Sequence, residues 1–205
     1  MTSLALWFIV LLLFSMVTSS YSITHGTILK DKFQGFRTVH DVVHEHLPNL
    51  ESIYNLYDWL LLIFIFPLLL NWNRYDKRAF FTSAMRLMIP ILFIYCLVTS
   101  LTITGPTTDH SRDFGGPLRQ AVFGHGSLLL ISGHCCFVFA LILLMKQYKI
   151  ISNMTIWGSL AALFALFASM SRSHYTIDPI FSAFVVACVY DVLENESATL
   201  RLVMS

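Results

Sequence analysis

A histidine and an aspartate stand four residues apart in the string Ser171-Arg172-Ser173-His174-Tyr175-Thr176-Ile177-Asp178. On a helix, His174 and Asp178 share one face. The carboxylate then accepts a hydrogen bond from one ring nitrogen and leaves the other free to act as nucleophile or base. The pair sits at the mouth of the last apolar segment. Ionisable groups at the edge of hydrocarbon are costly to place, so by default they mark a functional site. A second histidine, in Ser132-Gly133-His134, lies 40 residues upstream in another apolar segment. Alone, His134 fits a packed helix histidine, and the His174–Asp178 pair fits a structural hydrogen bond. Chemistry requires the two places to meet.

Composition sets the solvent around them. Of 205 residues, 56% are hydrophobic and 12% charged, whereas soluble domains carry about 25% charged residues. With a mean hydropathy of +0.68, the chain reads as an integral membrane protein. A net charge of +1 leaves no electrostatic footprint for nucleic acid. The four cysteines, Cys96, Cys135, Cys136 and Cys188, fall inside apolar segments and read as small packing residues rather than disulfides. No repeat, low-complexity tract or soluble domain is visible. Residues 1–205 form one membrane domain: a first span and polar juxtamembrane loop over 1–56, a five-helix core over 57–194, and a short tail over 195–205.

The fold class expected is an all-α membrane protein with six transmembrane helices. The apolar runs are Leu4 to Val17, Trp59 to Trp72, Ala79 to Thr104, Ser127 to Met145, Met154 to Met170 and Tyr175 to Leu193. About 20 residues cross about 30 Å of hydrocarbon. The first run ends in Thr18-Ser19-Ser20, so a cleaved signal peptide competes with an uncleaved span. The uncleaved reading is preferred because it keeps the number of spans even. Pro67 and Pro90 are tolerated where neighbouring helices satisfy the freed carbonyls. Arg86 reads as a side chain snorkelling back to a basic turn. Between the first two runs, His40, His44 and His46 do not converge on one helix face. They read as a solvated, partly amphipathic segment rather than a metal site. His110 and His125 read as loop residues.

Positive charge gathers in two turns, Arg74, Lys77 and Arg78 in one, Lys146 and Lys149 in the other. With six alternating helices both turns lie on one side. The positive-inside rule places them in the cytosol, together with both termini. The segments before His134 and His174 then share the lumenal or extracellular face, at the ends of the fourth and sixth helices. Two sequons, Asn153-Met154-Thr155 and Asn195-Glu196-Ser197, fall in the cytosol and are expected to stay unglycosylated. Depth is the tension in this scheme. A helix starting at Ser127 buries His134 about 10 Å deep at about 1.5 Å per residue, while His174 stays near the surface. The two meet if the helix starts near Ser132, if the Ser171–Ser173 turn is sunk, or by some of both.

Ser132-Gly133-His134, followed about forty residues later by His174-Tyr175-Thr176-Ile177-Asp178, resembles the sphingomyelin synthase-related lipid phosphotransferases. These belong to the wider type-2 phosphatidic acid phosphatase superfamily. The resemblance covers residues 45 to 193. It departs at His125-Gly126-Ser127-Leu128, where members often carry Cys-Gly-Asp, and at Leu47-Pro48-Asn49, where they carry Leu-Pro-Asp. Ile131 to Cys135 is also similar to the fat storage-inducing transmembrane proteins. The resemblance implies an enzyme that moves a phospho-head group from a glycerophospholipid to ceramide or diacylglycerol. It implies His174 as nucleophile, Asp178 as its orienting partner and His134 as proton donor and acceptor. Arg172 is a weaker candidate for phosphate binding, balanced by a role as interfacial anchor. No cofactor or metal is expected. The expected partners are membrane lipids, with no nucleic acid and with a homo-oligomer admitted. The expected location is the endoplasmic reticulum or Golgi rather than the plasma membrane. A lipid phosphatase or diphosphatase using the same residues is the runner-up, and a non-catalytic lipid-binding protein the third reading.

Overall fold

The computed structural model describes residues 4–18, 41–53, 55–101 and 131–203. Every regular element among them is helical. The helices are α1 (Leu4–Thr18), α2 (Val42–His46), α3 (Asn55–Leu70), α4 (Lys77–Leu101), α5 (Gly133–Gln147), α6 (Met154–Met170) and α7 (Ile177–Val203), with a short 3-10 turn at Glu51–Ile53.

Capping residues in the sequence decide where these helices begin. Asp41 starts α2 by accepting from the His44 N–H at 3.0 Å. Asp76 starts α4 by accepting from Ala79 at 3.1 Å. Ser132 starts α5 by accepting from Cys135 at 3.3 Å, and Asn153 starts α6 by accepting from Ile156 at 3.1 Å. Each such cap contributes about 1 kcal/mol. Two helices stop on basic residues in the left-handed region, Lys149 at φ 55° after α5 and Arg172 at φ 57° after α6. In both, a backbone N–H reaches back five residues, Ile150 to Met145 at 2.8 Å and Ser173 to Ala168 at 3.2 Å. Glycine is the usual residue at such an ending. A side chain there costs about 1–2 kcal/mol, so Arg172 must be held for another reason.

Helix α5 is the axis of the packing. It touches α3, α4, α6 and α7, and most of its length from Cys135 to Met145 is buried. Leu87, Ile91, Phe164 and Val186 close around it. At one end, Phe80 contacts Tyr75 and Tyr148 with ring centroids 5.2 and 5.3 Å apart. Ser83 and Tyr148 share a hydrogen bond of 2.8 Å. The two basic turns therefore meet at this end. Gln147 also donates to Glu194 at 2.9 Å, which brings the distal part of α7 there. The 41–53 segment, Ser132 and the 171–176 turn gather at the other end.

The outward faces are apolar. Leu62 and Phe66 of α3, Phe93 and Leu97 of α4, Leu163 of α6 and Phe184 of α7 are all exposed. Among the described residues only Lys77–Thr99 of α4, 23 residues with mean hydropathy 1.9, is by length and apolarity enough to cross a bilayer by itself. Leu4–Thr18, Trp59–Leu70, Gly133–Gln147 and Met154–Met170 are apolar but shorter. The all-α architecture stands among the described residues, with α7, expected as the last of six spans, running to Val203 rather than ending at Leu193. Residues 195–203 continue a helix instead of forming a tail. Cys135 and Cys136 are packed in the core as expected, whereas Cys188 is exposed. Arg86 is exposed on α4.

Candidate active site

Helix α5 begins at Gly133, not Ser127, and Ser132 is its cap. Residues 127–130 lie outside the described residues, as do His25, His40, His110 and His125. The start at Gly133 brings the Ser-Gly-His motif to the end of the bundle where the 171–176 turn sits. The turn is also sunk: Ser171 and Ser173 are fully buried and His174 is 6% exposed. The helix start near Ser132 and the buried turn are the two conditions under which the motifs were expected to approach each other.

The two motifs meet through Ser132. Its hydroxyl lies 3.1 Å from His174 Nε2. On the opposite side of the ring, His174 Nδ1 lies 3.2 Å from Asp178 Oδ2. With Asp178 ionised and the ring neutral, Nδ1 carries the proton and Nε2 presents its lone pair to the serine hydroxyl. Ser132 Oγ already accepts the Cys135 N–H, which leaves its own proton for Nε2. Serine, histidine and aspartate thus form one directed chain. His174 is not on a helix as the four-residue spacing suggested. It precedes α7, which starts at Ile177, and the turn itself delivers the contact. Asp178, 1% exposed, also accepts the Tyr175 N–H at 3.2 Å.

Ser182, one turn along α7 from Asp178, locks the pieces together. Its oxygen accepts the Ser132 N–H at 2.7 Å, and its hydroxyl donates to the Asp178 carbonyl at 2.7 Å. This fully buried serine was missed in the sequence, where it is one more small residue in an apolar run. Its signal was the spacing of four from Asp178 on the inward face. His134 occupies the first turn of α5, half-buried, two residues from Ser132.

The segment preceding α3 also belongs to the site. Asp41 is buried and accepts from Thr176 twice, from its N–H at 2.6 Å and its hydroxyl at 2.7 Å. His44 Nε2 donates to the His174 carbonyl at 3.1 Å, and its ring stacks on Tyr175 at 5.5 Å. Leu50 N–H donates to the Met170 carbonyl at 2.9 Å. Arg172 Nη2 donates to the His44 carbonyl at 2.6 Å, which accounts for an arginine at a left-handed position. The reading of this segment as solvated is therefore corrected at Asp41 and His44: they strap the turn that carries His174. Burial raises the Asp41 carboxyl, but the donors from Thr176 and His44 outweigh it and hold the group below the usual carboxylate range. Burial chiefly, aided by the Arg172 guanidinium, holds the His44 imidazole below its ordinary value against the pull of Asp41. Among the described residues no group of three or more His, Cys, Asp or Glu is placed to hold a metal ion.

No protein-family model matches the chain, and no curated protein matches it.

Proposed function

We propose that the chain is a multi-pass membrane enzyme that transfers a phospho-head group from a glycerophospholipid to a lipid hydroxyl, ceramide or diacylglycerol. The observation that carries this reading is the contact of Ser132 with His174, itself paired to Asp178. It joins the two motifs at one point, at the N-terminus of α5, where the first-turn N–H groups and the helix dipole favour an anion. A phosphate entering there displaces the serine hydroxyl from Nε2 and takes its hydrogen bond.

The reaction then has two displacements. His174 Nε2 attacks phosphorus, and a P–N bond forms as the bond to the diacylglycerol oxygen breaks. His134 gives that oxygen a proton. Asp178 holds the Nδ1–H tautomer and stabilises the charged ring. His134 next takes the proton of the acceptor hydroxyl, whose oxygen attacks phosphorus, and the P–N bond breaks. A covalent intermediate lets two bulky lipids use one site in turn. Arg172, tied to His44, supports the turn rather than reaching for phosphate.

The same contact favours a second reading, in which Ser132 is the nucleophile of a Ser-His-Asp triad acting on an acyl ester. The Ser132 hydroxyl already caps α5, which favours the first. Purified protein with phospholipid labelled in the phosphate or in an acyl chain separates them. Movement of phosphate label to added ceramide or diacylglycerol supports the proposal. Release of soluble phosphate or phospho-head group makes the chain a hydrolase, and movement of acyl label alone supports the serine nucleophile.

We infer six spans, α1 and α3 to α7, with the site facing the lumenal or extracellular side and the basic turns in the cytosol. The apolar outward faces and the gathering of Arg74, Lys77, Arg78 and Lys149 near one end support this. Helices α5 and α6 have 15 and 17 residues, or about 22–26 Å at about 1.5 Å per residue. That length suits the thinner bilayer of the endoplasmic reticulum, about 27 Å, better than the plasma membrane.

A further inference from the structure

An apolar groove of about 420 Å³ runs between α5, α6 and α7, within the size range of about 300–1,000 Å³ typical of ligand sites. Its long wall is one face of α6, Gly158, Ala162, Ala165 and Ser169. These 11 residues of separation span about 16 Å at about 1.5 Å per residue. Phe139 of α5 and Ile180 of α7 face it. We propose that this groove holds one acyl chain of the phospholipid whose phosphate docks at Ser132 and His174, with Gly158 marking where the chain terminus lies. The inference rests on the phospholipid-donor reading above.

The groove ends beside the site, at Thr176 of the turn that carries His174 and at Pro179, the neighbour of Asp178. Its polar end is formed by Ser169 and Thr176, and Thr176 is two residues from His174. Both hydroxyls are committed, Thr176 to Asp41 at 2.7 Å and Ser169 to the Ala165 carbonyl at 3.4 Å. The groove therefore offers no spare hydroxyl along its length and suits an alkyl chain rather than a polar ligand. Gly158 is a separate observation. Among the described residues a Cβ added there meets nothing within 4 Å, so their packing does not require glycine. Glycine is the poorest helix former after proline, and the contacts of the described residues do not explain its position inside α6. Leaving the far end of the groove open explains it.

The test uses the full chain in lipid nanodiscs, with a phosphatidylcholine carrying a photoreactive group near the end of one long acyl chain. Crosslinking is expected on α6 close to Gly158. Gly158→Leu, which overpacks the end of the groove, is expected to cut that crosslink and long-chain donor turnover about tenfold. Dioctanoyl donor turnover should change less than about twofold, and Leu163→Phe on the outward face of α6 should change neither. Crosslinks away from the groove, or equal losses for long and short donors, overturn the proposal. Crosslinking at Gly158 with no phosphate transfer retains the groove and removes the phosphotransfer reading. Transfer whose chain-length profile ignores Gly158→Leu does the reverse.

Discussion

In the proposed reaction His174 serves only in one tautomer, and Asp178 sets it. Replacing the carboxylate with an amide, Asp178→Asn, lets the side chain donate to Nδ1 and turns the wrong nitrogen toward the substrate. Turnover is expected to fall on the order of a thousand- to ten-thousandfold while the helical circular dichroism is retained. His134→Ala removes a general acid and should cost on the order of a hundred- to ten-thousandfold. Ser132→Ala removes a cap and a phosphate donor but not the nucleophile, so phosphate transfer is reduced and still detectable. Complete loss of transfer in well-folded Ser132→Ala sides with the serine-nucleophile reading. Ser182→Ala leaves the buried Ser132 N–H without an acceptor, a cost of about 1–3 kcal/mol, to be read as a drop in melting temperature. The importance of Ser132 itself was half-legible: the Ser-Gly-His string drew attention to its histidine, but the serine is the cap, and caps face the end of a helix where the neighbouring turn lies.

At the scale of elements, the polar segment over 41–53 and the turn over 170–176 behave as one unit. Asp41 and His44 both have lowered pKa values. In each case the unfolded chain binds the proton more readily, so stability rises with pH. The contribution of His44 is complete above its ordinary value of about 6.5 and is lost as pH falls from there through its lower folded value. The contribution of Asp41 goes later, as pH falls through the lowered carboxylate value. Hydrogen exchange at the Leu50 and Thr176 amides reports this directly: protection should weaken on acidification, and His44→Gln should flatten the first step. Protection that strengthens on acidification contradicts the strap. Hydrophobic periodicity says nothing about such a unit. Asp41 and Thr176 are 135 residues apart, and a carboxylate that leaves water for a distant backbone N–H looks, in sequence, like one that stays solvated. The helices themselves were legible, because apolar runs broken by Asp76, Ser132 and Asn153 leave few other choices. Their ends were less so: the cap at Ser132 placed the start of α5 six residues beyond the first residue of its run, Ser127.

The described residues form a bundle around α5 with the candidate site at one end and the two basic turns near the other. The Asn153 side chain caps α6 and Asn195 bonds to Asp191 along α7 at 3.1 Å. With both placed in the cytosol, neither sequon should carry glycan in a eukaryotic host, and a mass shift lost on endoglycosidase treatment would reverse the orientation. Composition is what suggests the membrane reading, since 12% charged residues is about half the usual share of a soluble domain. The acyl preference of the proposed donor was not legible, because it would depend on a groove assembled from α5, α6 and α7 rather than on any one string. The central claim is a phosphate held on His174 between two lipids. Rapid quenching of the protein with phosphate-labelled phospholipid, in the absence of acceptor, tests it most directly. The expected result is protein-bound label that survives alkali, is released by mild acid, maps to the peptide holding His174, disappears in His174→Gln, and is discharged onto added ceramide or diacylglycerol. Phosphate label that reaches lipid or water with none trapped on His174, or label that persists in His174→Gln, contradicts it.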